Sequence, residues 1–227
     1  MNKVLIVVAH GDDETLGMGG TIARHHNDGD EIRLIVMSDG VSARKKNNIE
    51  HENDKRQRYR ALNQAANILG INKVYNYDFP DNQMDTISLL SIVQKIEEVF
   101  IEYPAKTVYT HSVLDLNIDH QITHKAVMTA CRPQKHSSVK KILTFEVLSS
   151  TEWNSSALPQ FNPQYIIDIA DYWETKVQAL QCYQEEMRTF PHSRSIECVE
   201  ALATLRGATH GFAKAEAFFV ERILESD

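Results

Sequence analysis

Short runs of β-branched and aliphatic residues alternate along this chain with segments whose apolar residues recur at helical spacing. That alternation restricts the fold more than any other feature. Val4 to Ala9 suits a strand buried on both faces, and Ile32 to Met37 is a second such run. Between them Thr15 to His26 reads as a helix, entered past the capping residues Asp12, Asp13 and Thr15 and left near Asn27-Asp28-Gly29. Asn53 to Leu69 follows as an amphipathic helix with Gly70 as its C-cap, and Lys73 to Tyr77 as a short strand. Leu89 to Glu102 reads as a helix, Thr107 to Thr110 as a strand, His120 to Cys131 as a helix and Lys141 to Leu148 as a strand. After a surface loop over Asn154 to Pro163, the pattern predicts a long helix from Tyr172 to Met187. A last helical pair is predicted over Ser195 to Leu205 and Ala213 to Leu224. The sum is an α/β fold, a Rossmann-like three-layer sandwich with a mostly parallel sheet. With 227 residues, no internal repeat and no linker rich in Pro, Gly or Ser, one domain over residues 1–227 is expected.

Charge and cysteine usage narrow the partners. The formal net charge is -7, from 24 basic and 31 acidic residues, so no positive excess exists to neutralise a phosphate backbone, and nucleic acid is not expected as a general partner. Cys131, Cys182 and Cys198 contain no CxxC pair and fit neither a disulfide framework nor a thiolate zinc site, which points to a reducing compartment. The apolar run before His10 is too short for the core of a signal peptide, and no stretch approaches the ~18 apolar residues of a membrane span. A cytoplasmic protein without a membrane span is the expectation.

His10-Gly11-Asp12-Asp13-Glu14 follows the first strand directly, at the carboxyl edge of the expected parallel sheet, where open α/β folds bind their ligands. Consecutive carboxylates repel one another and resist enclosure unless a cation or water compensates them. His10 and Asp13 are close enough in a tight loop to hold one metal ion, with Asp12 free to act as general base toward a water. The competing reading is a solvated acidic helix start, favourable to the helix dipole. Gly17-Met18-Gly19-Gly20 is no dinucleotide fingerprint, since GxGxxG would need glycine at Ile22; these glycines let the helix approach the sheet closely.

A second polar stretch, Thr110 through His120, also follows a strand and leads into a helix. His120 can supply a third protein ligand, completing a two-His, one-Asp set with a position left open, the pattern of a catalytic rather than a structural zinc. Asp119 can orient one of the imidazoles. His124, one helical turn on, competes with His120 as ligand, and capping or loop roles compete with both.

These two stretches resemble a known family. His10-Gly11-Asp12-Asp13-Glu14 resembles the His-Pro-Asp-Asp-Glu signature of the PIG-L (LmbE-like) zinc-dependent N-deacetylases, and Asn117-Ile118-Asp119-His120 their His-x-Asp-His signature. Similarity extends to Phe79-Pro80-Asp81-Asn82, Phe145-Glu146-Val147 and the stretch from Arg206 to Phe218. The resemblance implies removal of acetyl groups from N-acetylglucosamine-type sugars or glycoconjugates, with Zn2+, or another divalent transition metal, on His10, Asp13 and His120 and with Asp12 as general base. It also implies Arg58 as a substrate-binding residue and Asp81 as a holder of sugar hydroxyls. Arg194 and Arg206 are candidates for an acidic group of the substrate. The implied partner is a small N-acetylated sugar or glycoconjugate, and a homo-oligomer is allowed.

Two positions depart from the pattern. Gly11 replaces the usual proline, which loosens the loop without removing a ligand. Asn117 replaces a histidine that assists the tetrahedral intermediate or the leaving amine; asparagine can donate to an oxyanion but carries no proton at neutral pH. Either Asp12 performs both proton transfers or a group such as His192 or His210 reaches in. The alternatives are an amidase for another acyl or conjugate amide of an aminosugar, a catalytically weak carbohydrate-binding relative, and a magnesium-binding phospho-receiver, whose pocket uses oxygen ligands rather than imidazoles.

Overall fold

The computed structural model describes residues 1–43, 48–135 and 137–225. Its strands are β1 (Lys3–Val8), β2 (Glu31–Ser38), β3 (Lys73–Phe79), β4 (Thr107–His111), β5 (Lys141–Phe145), β6 (Tyr165–Asp168) and β7 (Ala215–Ile223). The helices are α1 (Asp13–Asn27), α2 (Asn48–Leu69), α3 (Leu89–Glu102), α4 (Ile118–Ala130), α5 (Trp173–Gln181) and α6 (Ile196–Ala208). The strands form one sheet in the order β3-β2-β1-β4-β5-β7-β6. All pairings from β3 to β5 are parallel, and β7 runs antiparallel between β5 and β6.

β1 shows why the core has two halves. Val4, Ile6 and Val8 face the side packed by residues of α1, α2, α5 and α6, whereas Leu5 and Val7 face α3 and α4. The period-2 alternation of side chains thus sends one continuous apolar run into both layers, as a fully covered parallel strand requires. The result is the mostly parallel three-layer α/β sandwich that the alternating sequence predicts.

The last predicted helix is corrected by the structure: Ala213 to Leu224 contains not a helix but strand β7. The alanines at 213, 215 and 217 favour helix locally, but pairing on both edges with β5 and β6, and burial of Phe218 in the core, override that preference. Strand β6, only four residues long, was not predicted. The helix predicted from Tyr172 to Met187 stops at Gln181, and the turns beyond it carry Tyr183 and Glu186 inward. α2 begins at Asn48 rather than Asn53, and β5 ends at Phe145 rather than Leu148.

Helix α1 is broken at Met18, whose φ of -151° and ψ of 23° leave the helical region. The backbone groups freed by the break find buried partners. Glu216 of β7 accepts the N–H groups of Gly20 (3.0 Å) and Thr21 (2.7 Å), and Lys176 Nζ donates to the carbonyl of Leu16 at 2.8 Å and to Glu216 at 2.6 Å. The glycines around the break allow the close approach inferred from the sequence. A Cβ on Gly17 would lie 2.2 Å from the ring of Phe145, and one on Gly20 would lie 2.7 Å from Ile169.

The chain runs outward from β1 to β3 and returns to β4 on the other side of β1. The carboxyl ends of β1 and β4 therefore flank the point where the strand order reverses, the usual ligand crevice of such sheets. Among the described residues, no helix is long and apolar enough to cross a membrane.

Candidate active site

Both polar stretches of the sequence meet in that crevice. The loop after β1 carries His10 to Asp12 and leads into Asp13 at the start of α1, and the first turn of α4, capped by Asn117 after the β4 loop, presents Asp119 and His120. Asn117 caps by accepting the N–H of Asp119 at 2.8 Å. His10 Nδ1, Asp13 Oδ2 and His120 Nε2 lie 3.3 Å from one another. Ligands about 2.0–2.1 Å from a tetrahedral zinc are separated by about that distance. All three residues are buried, and among the described residues Asp13 Oδ1 has no hydrogen-bond partner. The trio has the donor types, spacing and seclusion of a metal site, and it is a set that could hold an ion.

Charge in the crevice calls for the same thing. Burial opposes the charged form of His10, yet Asp119, Asp13 and Asp81 hold its pKa well above the ordinary imidazole value. Burial likewise opposes charge on His120, but Asp13 and Asp115 push its pKa up to about 9. Burial would raise Asp13, but His120, His111 and His10 draw it well below the usual carboxylate range. A divalent cation held by the trio would balance these carboxylates with both rings neutral.

Each imidazole is oriented from behind. Asp119 Oδ2 lies 3.1 Å and Asp81 Oδ1 3.2 Å from His10 Nε2. Asp119 is itself fixed by the N–H groups of Asn82 (2.6 Å) and Met84 (3.0 Å). His120 Nδ1 faces Asp115, whose carboxylate accepts from the hydroxyls of Ser150 and Thr151. His111 stacks on His120 with ring centroids 3.9 Å apart. Burial takes its pKa down to about 3, and its Nε2 accepts the N–H of Ala9 at 2.9 Å, tying β4 to β1. His124 gives its Nδ1 to the carbonyl of His111 instead of reaching the trio.

Asp12 stands beside the trio in a backbone conformation, φ 151° and ψ -26°, that side-chain-bearing residues rarely adopt. Glu14 Oε2 accepts its N–H at 3.1 Å, and Glu14 Oε1 accepts the hydroxyls of Tyr183 (2.7 Å) and Thr15 (2.6 Å). Burial lifts Glu14 to about 7 against the lowering effect of those donors. Arg194 Nη1 lies 3.0 Å and Arg58 Nη1 3.6 Å from Asp12 Oδ2, and both guanidinium groups also face Glu186. Burial raises the Asp12 pKa, while Arg194 and then Arg58 lower it.

The crevice opens as a cleft of 220 Å³ lined by His10, Asp12, Arg58, Asp81, Asn82, Asn117, Glu186 and Arg194, with Gly40 and Ala43. Asn117 Nδ2 donates to Asn82 Oδ1 at 3.1 Å. A larger groove of 810 Å³ between α2 and the α5 region meets the cleft at Arg58 and Glu186. Of the residues read from the sequence, Arg206 lies elsewhere, paired with Glu146 at 2.8 and 2.9 Å. His192 and His210 do not line the cleft. Glu14, His111 and Asp115 fall within the two polar stretches read from the sequence but have no role assigned there, and Tyr183 and Glu186 fall outside them. A polar residue following a strand was a usable signal for His111; nothing local marks Tyr183 or Glu186.

Comparison with known proteins follows the same lines. The family profile described as PIG-L: GlcNAc-PI de-N-acetylase matches residues 5–131, more than half of the chain. The uncharacterized deacetylase YaiS of Escherichia coli strain K12 is 29% identical over 184 residues, which cover 78% of this chain and 88% of that protein. The structure of N,N'-diacetylchitobiose deacetylase from Pyrococcus horikoshii matches with a TM-score of 0.79 at 19% identity, over 97% of this chain and 84% of its own. That of the 4-carboxy-2-hydroxymuconate hydratase from Pseudomonas putida KT2440 matches with a TM-score of 0.79 at 21% identity, over 100% and 99%. At these identities the two structures establish a shared fold.

Proposed function

This chain belongs to the PIG-L family of deacetylases, and from that premise we propose that it is a zinc-dependent N-deacetylase acting on an N-acetylglucosamine-type sugar or glycoconjugate. The observation that carries the reading is the trio of ligand atoms 3.3 Å apart with Asp12 beside it. His10, Asp13 and His120 would hold the metal. A zinc ion there supplies Lewis acidity, polarising an amide carbonyl and acidifying water at neutral pH.

The chain's own residues do the rest. Asp12, whose pKa burial raises and Arg194 and Arg58 lower, accepts the proton of the attacking water. Asn117 spends its Oδ1 on the α4 cap and keeps Nδ2 at the cleft, where it can donate to the oxyanion. With His192 and His210 outside the cleft, Asp12 also returns the proton to the departing amine. Arg58 and Asp81 line the cleft where the sugar's hydroxyls would lie. Both arginines are already paired with Asp12 and Glu186, which favours an uncharged sugar over a polycarboxylate of the kind a muconate hydratase handles.

The test is metal content by mass spectrometry together with acetate release from a panel of N-acetylated sugars. About one zinc per chain and acetate release, both lost in His120→Ala, are expected. A protein that takes up no transition metal, or one that hydrates an unsaturated carboxylate and releases no acetate, refutes the reading.

A further inference from the structure

The cleft around His10 measures 220 Å³, below the ~300–1,000 Å³ usual for a small-molecule site, whereas the groove that meets it at Arg58 and Glu186 measures 810 Å³. A ligand seated in the cleft by its acetamido group therefore has most of its available space in the groove. One wall is helix α2, and the other is α5 with the turns that follow it. Arg58 Nη2 ties the two together on Glu186 Oε1 at 3.0 Å, and both residues line the cleft as well as the groove.

The chemistry of the walls decides what the groove fits. Gln57 and Gln64 stand two turns apart on one face of α2, about 10 Å along the axis, a span longer than one pyranose ring. Gln178 and Gln181 share a face of α5, and Gln184 follows just beyond it. All five are exposed, and among the described residues none of their carboxamides is engaged by another group of the protein. A carboxamide offers two donors and an acceptor, and a hydroxyl offers a donor and an acceptor, so such an array matches a polyol without calling for charge. The charged lining cancels, Arg56, Arg58 and Arg60 against Asp54, Glu185 and Glu186. A diphosphate linker or an acidic sugar would thus meet no net positive field. Aliphatic lining is confined to Val41 and Ala61, too little to receive an acyl tail.

We propose that this groove is the subsite for the further sugar residues of an uncharged oligosaccharide whose N-acetylated residue enters the cleft at His10. The proposal rests on the deacetylase reading for the position of the acetamido group, and its test separates the two. The probes are N-acetylglucosamine, N,N'-diacetylchitobiose and N,N',N''-triacetylchitotriose. Acetate release should show kcat/KM rising about tenfold from the first to the third, because remote residues add binding energy. Gln57→Ala/Gln181→Ala removes one carboxamide from each wall at exposed positions, where the fold tolerates the change. In that variant the ratio of trisaccharide to monosaccharide should fall to within about twofold of one. Affinity is read without turnover by calorimetric titration of the same sugars into Asp12→Asn. The trisaccharide should bind about tenfold tighter than the monosaccharide there, and the advantage should vanish when the two glutamine substitutions are added. A glutamine-dependent advantage of the trisaccharide, in a wild-type protein that releases no acetate, supports the groove and removes the hydrolase reading. Equal kcat/KM and affinity for all three sugars, or a length preference that survives the glutamine substitutions, overturns the groove even if acetate release stands. Tighter binding of a nucleotide diphosphate-linked N-acetylglucosamine than of the trisaccharide overturns it too.

Discussion

Asp115 Oδ2 stands 3.1 Å from His120 Nδ1, on the ring nitrogen opposite the one that faces Asp13. The contact fixes which nitrogen of His120 is offered to the trio. Carboxylates behind metal-binding histidines typically account for 10–100-fold in metal affinity or activity. Asp115→Ala should therefore weaken zinc binding by about 10–100-fold in a chelator competition assay while the fold survives. Unaltered zinc affinity in a folded variant would show that Asp115 serves only its loop.

The trio itself predicts a split between metal and turnover. Asp13→Ala and His120→Ala should lose the metal, whereas Asp12→Ala should retain it and lose about 10²–10⁴-fold in kcat. Metal analysis beside acetate release checks both halves, and full occupancy in the first two variants would mean the ligands are others.

The pH dependence follows from the surroundings of Asp12. Its burial raises the pKa above the ordinary 3.8, while Arg194 and Arg58 pull it down. Activity requiring the carboxylate should fall as pH drops through that pKa. Arg194→Met removes the larger lowering influence, so the acid limb of kcat/KM should move to higher pH. A limb that stays in place or moves lower would detach it from Asp12.

Tyr183 acts on Asp12 at one remove, through the Glu14 carboxylate that also holds the Asp12 N–H. Tyr183→Phe keeps the packing and deletes one donor, so kcat should fall about three- to tenfold with metal content unchanged. An equal loss of bound metal would place the effect on the trio rather than on Asp12.

The break in α1 offers a stability test. With Phe145 only 2.2 Å from the position of an added methyl, Gly17→Ala forces the ring or the helix to shift, and urea unfolding should report a loss of about 1–3 kcal/mol.

Much of this was legible in the sequence because it is local. The run Val4 to Ala9 and the acidic loop after it lie within one β-α turn, and spacing alone suffices to put His10 beside Asp13. Asp115 and Tyr183 escaped because their roles depend on partners far along the chain: Ser150 and Thr151 for one, Glu14 for the other. β7 reads as a helix in the sequence because alanine's local preference is visible there and two-sided pairing is not. Asn117 is the intermediate case. Its departure from the family histidine was evident, but its engagement as the α4 cap emerged only with the helix in place.

The carboxylate that closes the gap in α1 lies 196 residues downstream of Gly20, on the strand that also joins β5 to β6. A nascent chain that has made the loop from His10 to Asp13 long beforehand still lacks Glu216 and leaves β5 and β6 with unpaired edges. Such late, long-range closure is slow and exposes strand edges in the interval. Folding during synthesis is therefore expected to hold the first helix in an unfinished state until β7 has emerged. A nascent chain stalled before residue 215 should be cut by protease in α1, whereas one stalled after β7 has cleared the ribosome should be protected there.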